Sequence, residues 1–296
     1  MSQDVLSSSK VDLEWFTVNL PVRGYAFSLP SIKQAFREFQ QLALDDGRKM
    51  LSRMAKPDGK DPAEWQAELS ALEKKAFLVT VSIIGKDGVT KYGQTEDIFE
   101  SKDLPFPINT IYFTNQNSFR AHANGNIPIN RFEIWLEFGK PPIFDTNPLQ
   151  SEPTPNGSRV FINANELGFF RACQHVVSSR VKQNSNWYKP IHGRFAYDFG
   201  LWFIALPYAL YVVTSSINTF APLNGPTESY RVPAFIYGLG LSLIVYRTLF
   251  TYLKWAYPVN VLDENKDTAL KHRIIFGGLI MTALSKGIFA LIAKVY

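Results

Sequence analysis

The sequence predicts an α+β domain, an antiparallel sheet covered by helices, followed by three C-terminal transmembrane helices. Three observations carry that prediction. The mean hydropathy of −0.07 describes no single part of the chain, because the long apolar runs are confined to the last third. Several runs between Phe77 and Phe138 place apolar residues at every second position, the period of a half-buried strand, whereas Ile32–Met54 and Trp65–Ala76 before them place them at helical spacing. Finally, lysine and arginine are distributed unevenly around the apolar runs, as they are in proteins whose loops lie on two sides of a membrane.

Residues 1–10 are polar and serine-rich and are expected to lack fixed structure; the soluble domain is expected over 11–183. Val11, Leu13, Trp15 or Phe16, Val18 and Leu20 alternate until Pro21, which predicts a first strand. After Pro30, Ile32, Ala35, Phe36, Phe39 and Leu42 mark a helix that continues past Gly47 to Met50, Leu51 and Met54. Lys56–Gly59 is a connector. Asp61-Pro62 then offers an N-cap and a first-turn proline ahead of Trp65, Leu69, Leu72 and Ala76.

Phe77–Ile84 and Val89–Tyr92 flank Gly85-Lys86-Asp87-Gly88, a hairpin whose glycines supply positive φ. Further strands are expected at Asn109–Thr114, Ser118–Ala123 and Arg131–Phe138, giving an antiparallel meander. In the last of these Phe132, Ile134, Leu136 and Phe138 face one way and Arg131, Glu133, Trp135 and Glu137 the other, as in a sheet covered on one side. Pro141–Ser158 holds five prolines and reads as an irregular loop. Val160–Asn163 is a short strand, and Asn165 is expected to cap a helix to about Lys182 that buries Leu167, Phe170, Cys173 or Gln174, and Val177.

The apolar runs at 199–217, 232–253 and 274–293 each approach the ~20 residues that cross a bilayer as a helix. The juxtamembrane segment 184–198 carries Lys189 and Arg194 with Trp187 and Tyr188, and Arg180 and Lys182 stand just before it. The first loop, Asn218–Arg231, has one basic residue, whereas Lys254–Arg273 has Lys254, Lys266, Lys271 and Arg273. By the positive-inside rule the soluble domain and the second loop are cytosolic and the first loop exterior. The expected location is the plasma (inner) membrane, multi-pass.

Two charges inside the apolar runs are candidate functional residues, Arg247 and Lys286. Arg247 lies near the cytosolic end of its span, where it either snorkels or meets Asp198, water lined by Lys286, or a partner helix. Lys286 lies mid-span, where a lysine costs roughly 2.5–3.5 kcal/mol; the alternative is two spans with the third helix lying along the surface. Gly238 with Ser242, Gly278 with Thr282, and Ala283 with Gly287 place small residues four apart, a spacing that permits self-association. Pro207 is expected to make a local kink.

Several function classes lose support. Residues 1–197 carry 23 basic and 21 acidic side chains, so charge alone does not make the domain a nucleic-acid binder. One cysteine and four scattered histidines leave no zinc spacing, and no metal or cofactor is expected. Gly-rich phosphate loops, G-x-S-x-G and H-E-x-x-H are absent from the sequence; Gly238-Leu239-Gly240 lies inside a span. His122 reads as a strand residue, His175 as a polar-face helix residue, Cys173 as a small buried hydrophobe, and Trp15, Trp65 and Trp135 as packing anchors. Asn156-Gly157-Ser158 is a glycosylation triplet that a cytosolic domain does not use, and the N-terminus has no signal-peptide pattern.

Three readings remain. The leading one is a membrane-anchored cytosolic interaction or sensing module, whose partners are the bilayer and a protein or small ligand. The second is an oligomeric membrane-perturbing effector or channel component, with Arg247 and Lys286 between subunits. The third is a membrane-surface enzyme with loop 141–158 closing over its site.

Overall fold

The computed structural model describes residues 14–143 and 152–278, and the chain divides into two compact units. The first takes the chain up to Glu137, Gly157–Asn184 and, after a long excursion, Leu262–Asn265. The second takes Phe138–Asn156, Ser185–Val261 and the chain from Lys266 onward.

The first unit is α+β. In chain order it contains β1 (Phe16–Pro21), β2 (Tyr25–Phe27), α1 (Leu29–Ser52), α2 (Pro62–Ala76), β3 (Thr80–Gly85), β4 (Thr90–Gly93), β5 (Ile108–Thr114), α3 (Gln116–His122), β6 (Arg131–Glu137), β7 (Arg159–Ala164) and α4 (Leu167–Val176). Its six-stranded sheet has the order β1-β7-β6-β5-β3-β4, and each neighbouring pair is antiparallel. Phe36 and Phe39 of α1 meet Phe113 of β5 edge-on, and Phe39 also meets Phe132 of β6. Phe169 of α4 stacks on the same Phe132. Phe39, Phe113 and Phe132 are wholly buried, and each buried phenylalanine contributes ~1.5–3 kcal/mol.

Local chemistry accounts for most of these elements. Ser28 caps α1, its hydroxyl accepting from the Ser31 N–H, and Pro30 stands in the first turn. The helix runs straight through Gly47, which is ~1 kcal/mol worse than alanine in a helix, because the Phe77 ring lies where a Cβ would be. Asp61 caps α2 as expected, accepting from the Ala63 and Glu64 N–H groups. Gly88, at φ +87°, supplies the left-handed residue of the β3–β4 turn.

The structure corrects four expectations. Ser118–Ala123 is not a strand: α3 occupies Gln116–His122. Its apolar residues Phe119, Ala121 and Ala123 alternate as in a strand, but Ala121 is exposed while Phe119 and Ala123 join the cluster of Leu51, Ala76 and Phe77. Four residues apart, they share one helical face. The sheet is also not a plain meander, since β5 pairs with β3 rather than β4 and leaves β4 at the edge. Asn165 does not cap α4, whose Glu166 N-cap position makes no side-chain cap bond; a single π-helical turn, Val177–Val181, then carries the chain to about the expected end. Leu167, expected to be buried, is 49% exposed, whereas Phe170, Cys173 and Val177 are buried as expected, joined by Phe169 and Val176. Val11 and Leu13 of the first expected strand lie outside the described residues.

The second unit contains two helices long and apolar enough to cross a membrane, Arg194–Phe220 and Glu228–Ala256. The first comprises α5 (Arg194–Gly200), a π-helical turn at Leu201–Ala205 and α6 (Leu206–Phe220). Pro207 offers no N–H to the carbonyl one turn back, and the π turn immediately before it takes up the irregularity. The second consists of a 3₁₀ turn followed by α7 (Arg231–Ala256). Ala209, Val213 and Ile217 form the buried seam of α6, and Val213 fits where Gly238 of α7 has no side chain: a Cβ there would lie 3.0 Å from Val213 Cγ1. Gly238 therefore serves packing within this hairpin. Residues 270–278 are helical. The remainder of the third apolar run, with Lys286, Thr282, Ala283 and Gly287, lies outside the described residues.

Candidate functional site

Arg247 is half-buried on α7. The neighbouring Tyr246 donates its hydroxyl to the Tyr197 carbonyl at 2.9 Å, an approach open because Gly200 has no side chain there. Tyr197 lies within the fields of both Arg247 and Asp198. The charge on α7 is therefore level with Tyr197–Asp198, just before the first apolar run begins at Phe199.

Around the same end of the hairpin, the second unit gathers polar and aromatic groups from three stretches of chain. Thr154 donates its N–H to the His192 carbonyl at 3.1 Å, and its hydroxyl is 3.0 Å from His192 Nδ1. Tyr188 packs against Trp187, Tyr257 and His192, and burial pushes its phenol up to about 12. The Arg273 guanidinium stacks over Tyr257, donates to the Ala256 carbonyl and pairs with Asp267 at 2.9 Å. Lys254, which the sequence reads as a loop charge, is buried in the last turn of α7 and donates to the Glu152 carbonyl. Trp187 is 79% exposed, the indole placement that favours a membrane–water interface.

Leaving the hairpin, the chain re-enters the first unit. Leu262 is buried, and the Asp263 N–H donates to the Phe27 carbonyl at 2.8 Å. Glu264 accepts the Leu29 N–H at 2.7 Å, placing a carboxylate at the positive end of α1. Asn265 acts as a one-residue strand partner: its Oδ1 accepts the Ile108 N–H at 2.8 Å and its Nδ2 donates to the Ile108 carbonyl at 2.7 Å. No periodic pattern marks 262–265, so sequence reasoning missed it. The available signal was composition, an Asp-Glu-Asn run between two stretches destined for different surroundings.

The first unit also presents a sheet face that α1 and α4 do not cover. The register aligns Tyr92, Ser82, Tyr112, Trp135, Arg159 and Pro21 in one row across all six strands. At ~4.8 Å per strand the row is about 24 Å long. The Tyr112 and Trp135 rings meet at 5.2 Å, inclined by 55°, and burial raises the Tyr112 phenol above its ordinary value. Both carboxylates of β6 on this face are held internally. Glu133 accepts from Gln116 Nε2 at 2.7 Å, and Glu137 from Trp135 Nε1 and the Gly157 N–H. The Arg131 and Arg159 guanidiniums make no hydrogen bond or ion pair among the described residues.

The other singled-out residues have structural places. His122 closes α3 with its Nδ1 2.9 Å from the Ser118 carbonyl; it is a helix residue, not the strand residue expected. His175 accepts two serine hydroxyls at its carbonyl. Cys173 is buried and its thiol is pushed up, first by desolvation and then by Asp46, which disfavours a thiolate nucleophile. No cluster of metal-ligating side chains occurs among the described residues. No family model, curated protein or solved structure matches this chain.

Proposed function

We propose that the protein is a membrane-anchored cytosolic interaction module: an α+β domain held at the inner (plasma) membrane by the helical hairpin, with the exposed sheet face free to bind a partner. The return of the chain at Leu262–Asn265 carries the reading. A tether needs one connection, yet here the hairpin is flanked on both sides by segments of the same folded unit, and Asp263, Glu264 and Asn265 each bond to that unit. Both ends of the hairpin then belong to one aqueous compartment. The basic residues of Lys254–Arg273 make that compartment the cytosol. The effector or channel reading has less support, because Arg247 stands level with the start of the first apolar run rather than with its middle.

Cysteine accessibility tests the orientation. In a Cys173→Ser background, Thr227→Cys should react with a membrane-impermeant maleimide in intact cells, and Lys266→Cys only after lysis. Labelling of Lys266→Cys in intact cells would overturn the proposal.

A further inference from the structure

We infer that the uncovered sheet face is a docking surface for a protein segment that presents a carboxylate beside aromatic or apolar side chains; this rests on the interaction-module reading above and deepens it. The row Tyr92–Ser82–Tyr112–Trp135–Arg159 combines tyrosine, tryptophan and arginine, the residues that carry most of the binding energy at protein interfaces. Between Tyr92, which is 55% exposed, and Tyr112 stands only Ser82, so the register leaves a notch between two rings. A side chain of the partner fits such a notch.

The charges decide the chemistry of that partner. Glu133 and Glu137 already accept Gln116, Trp135 and the Gly157 amide, whereas Arg131 and Arg159 have spare donors. The unmet donors among the charged groups are therefore the guanidiniums of Arg131 and Arg159, and a planar guanidinium matches a carboxylate in a bidentate fork. A nucleic acid suits the face poorly. The charged side chains of β6 change sign along the strand, Arg131 and then Glu133 and Glu137, so the face offers no continuous basic track for a phosphate backbone. The Tyr112 and Trp135 rings are also turned against each other at 55° rather than laid flat for bases to stack on.

The test uses the full-length protein in nanodiscs and a phage-displayed library of random peptides. Selection should enrich peptides carrying Asp or Glu next to Phe, Tyr or Trp. The leading peptide should lose at least tenfold in affinity on Arg159→Glu, an exposed position whose substitution should leave the melting temperature unchanged. Replacing the peptide's acidic residue with lysine should restore binding to that variant. Peptides indifferent to Arg159→Glu and Arg131→Glu would place the binding surface elsewhere, overturning this inference while leaving the module reading intact. An absence of enriched peptides would overturn both. Binding of single-stranded oligouridine that Arg159→Glu abolishes would replace the protein partner with a nucleic acid.

Discussion

The two units are built from similar apolar side chains and do opposite things with them. In the first, Phe39, Phe113, Phe132 and Ile134 are sealed from solvent, while in the second Trp202, Tyr211, Tyr237 and Ile244 are each more than 60% exposed. A helix that is hydrophobic all round is stable only if its surroundings are apolar too. The first unit makes its own apolar medium from facing layers of sheet and helix. The hairpin makes only a narrow seam, and its remaining surface calls for lipid.

The largest expected effect tests this contrast directly. Phe39→Ala should destabilise the first unit by about 3–5 kcal/mol, since it leaves a cavity where α1 meets β5 and β6. Ile244→Ala, on the outward surface of α7, removes comparable apolar character where nothing in the described structure closes over it. Hydrogen exchange on the full-length protein in nanodiscs should show α1 and the sheet unprotected in the first variant, and near-wild-type exchange throughout in the second. Equal losses would mean that the outward face of α7 is a packed interface.

A smaller effect probes the place where chain from beyond the hairpin contributes to the first unit. Asn265→Ala deletes two hydrogen bonds to the Ile108 backbone, worth ~0.5–1.5 kcal/mol each, and leaves a backbone donor and acceptor to find water. The expected loss is about 1–3 kcal/mol. It should appear as faster exchange at Ile108 and the start of α1, with the amides of α6 and α7 unchanged. Unchanged exchange at Ile108 would show that this return segment contributes little to the first unit.

How much of this was readable from sequence follows from where the signal lies. The alternation in Phe132, Ile134 and Leu136, the Asp61-Pro62 start of α2 and the two apolar runs are local patterns with one reading each, and the structure bears them out. Ser118–Ala123 failed because Phe119, Ala121 and Ala123 alternate as in a strand while Phe119 and Ala123 also share a helical face, and only the pocket made by Leu51, Ala76 and Phe77 chooses. The pairing of β5 with β3 and the docking of Asn265 on Ile108, a contact across 157 positions, are tertiary choices that no window of sequence contains. The exposed face was half-legible: Arg131, Glu133, Trp135 and Glu137 announced a second side to β6. That its carboxylates are occupied and its arginines are not depends on Gln116 and Gly157, which lie far along the chain.

The subtlest expected effect concerns Asp46, a half-buried carboxyl beside the buried Asn130. Its Oδ1 accepts from Asn130 Nδ2 at 2.7 Å, and Lys49, Arg53 and Glu166 face it. Desolvation leads the balance and raises its pKa above the ordinary 3.8, with the Asn130 hydrogen bond opposing. A carboxyl raised on folding holds its proton more tightly in the folded state, so stability falls as pH climbs from the unfolded value through the folded one, then levels off. Glu166 works the other way. Lys49 and Arg53 hold it below its usual range, and its contribution is lost as pH falls. The two slopes overlap in wild type, but Asp46→Asn removes only one. Asparagine keeps an acceptor for Asn130 without the buried charge, so the variant should melt slightly above wild type at pH 7 and converge with it near pH 4. A variant less stable than wild type at pH 7 would mean that the charge is favoured by Lys49 and Arg53 more than burial opposes it.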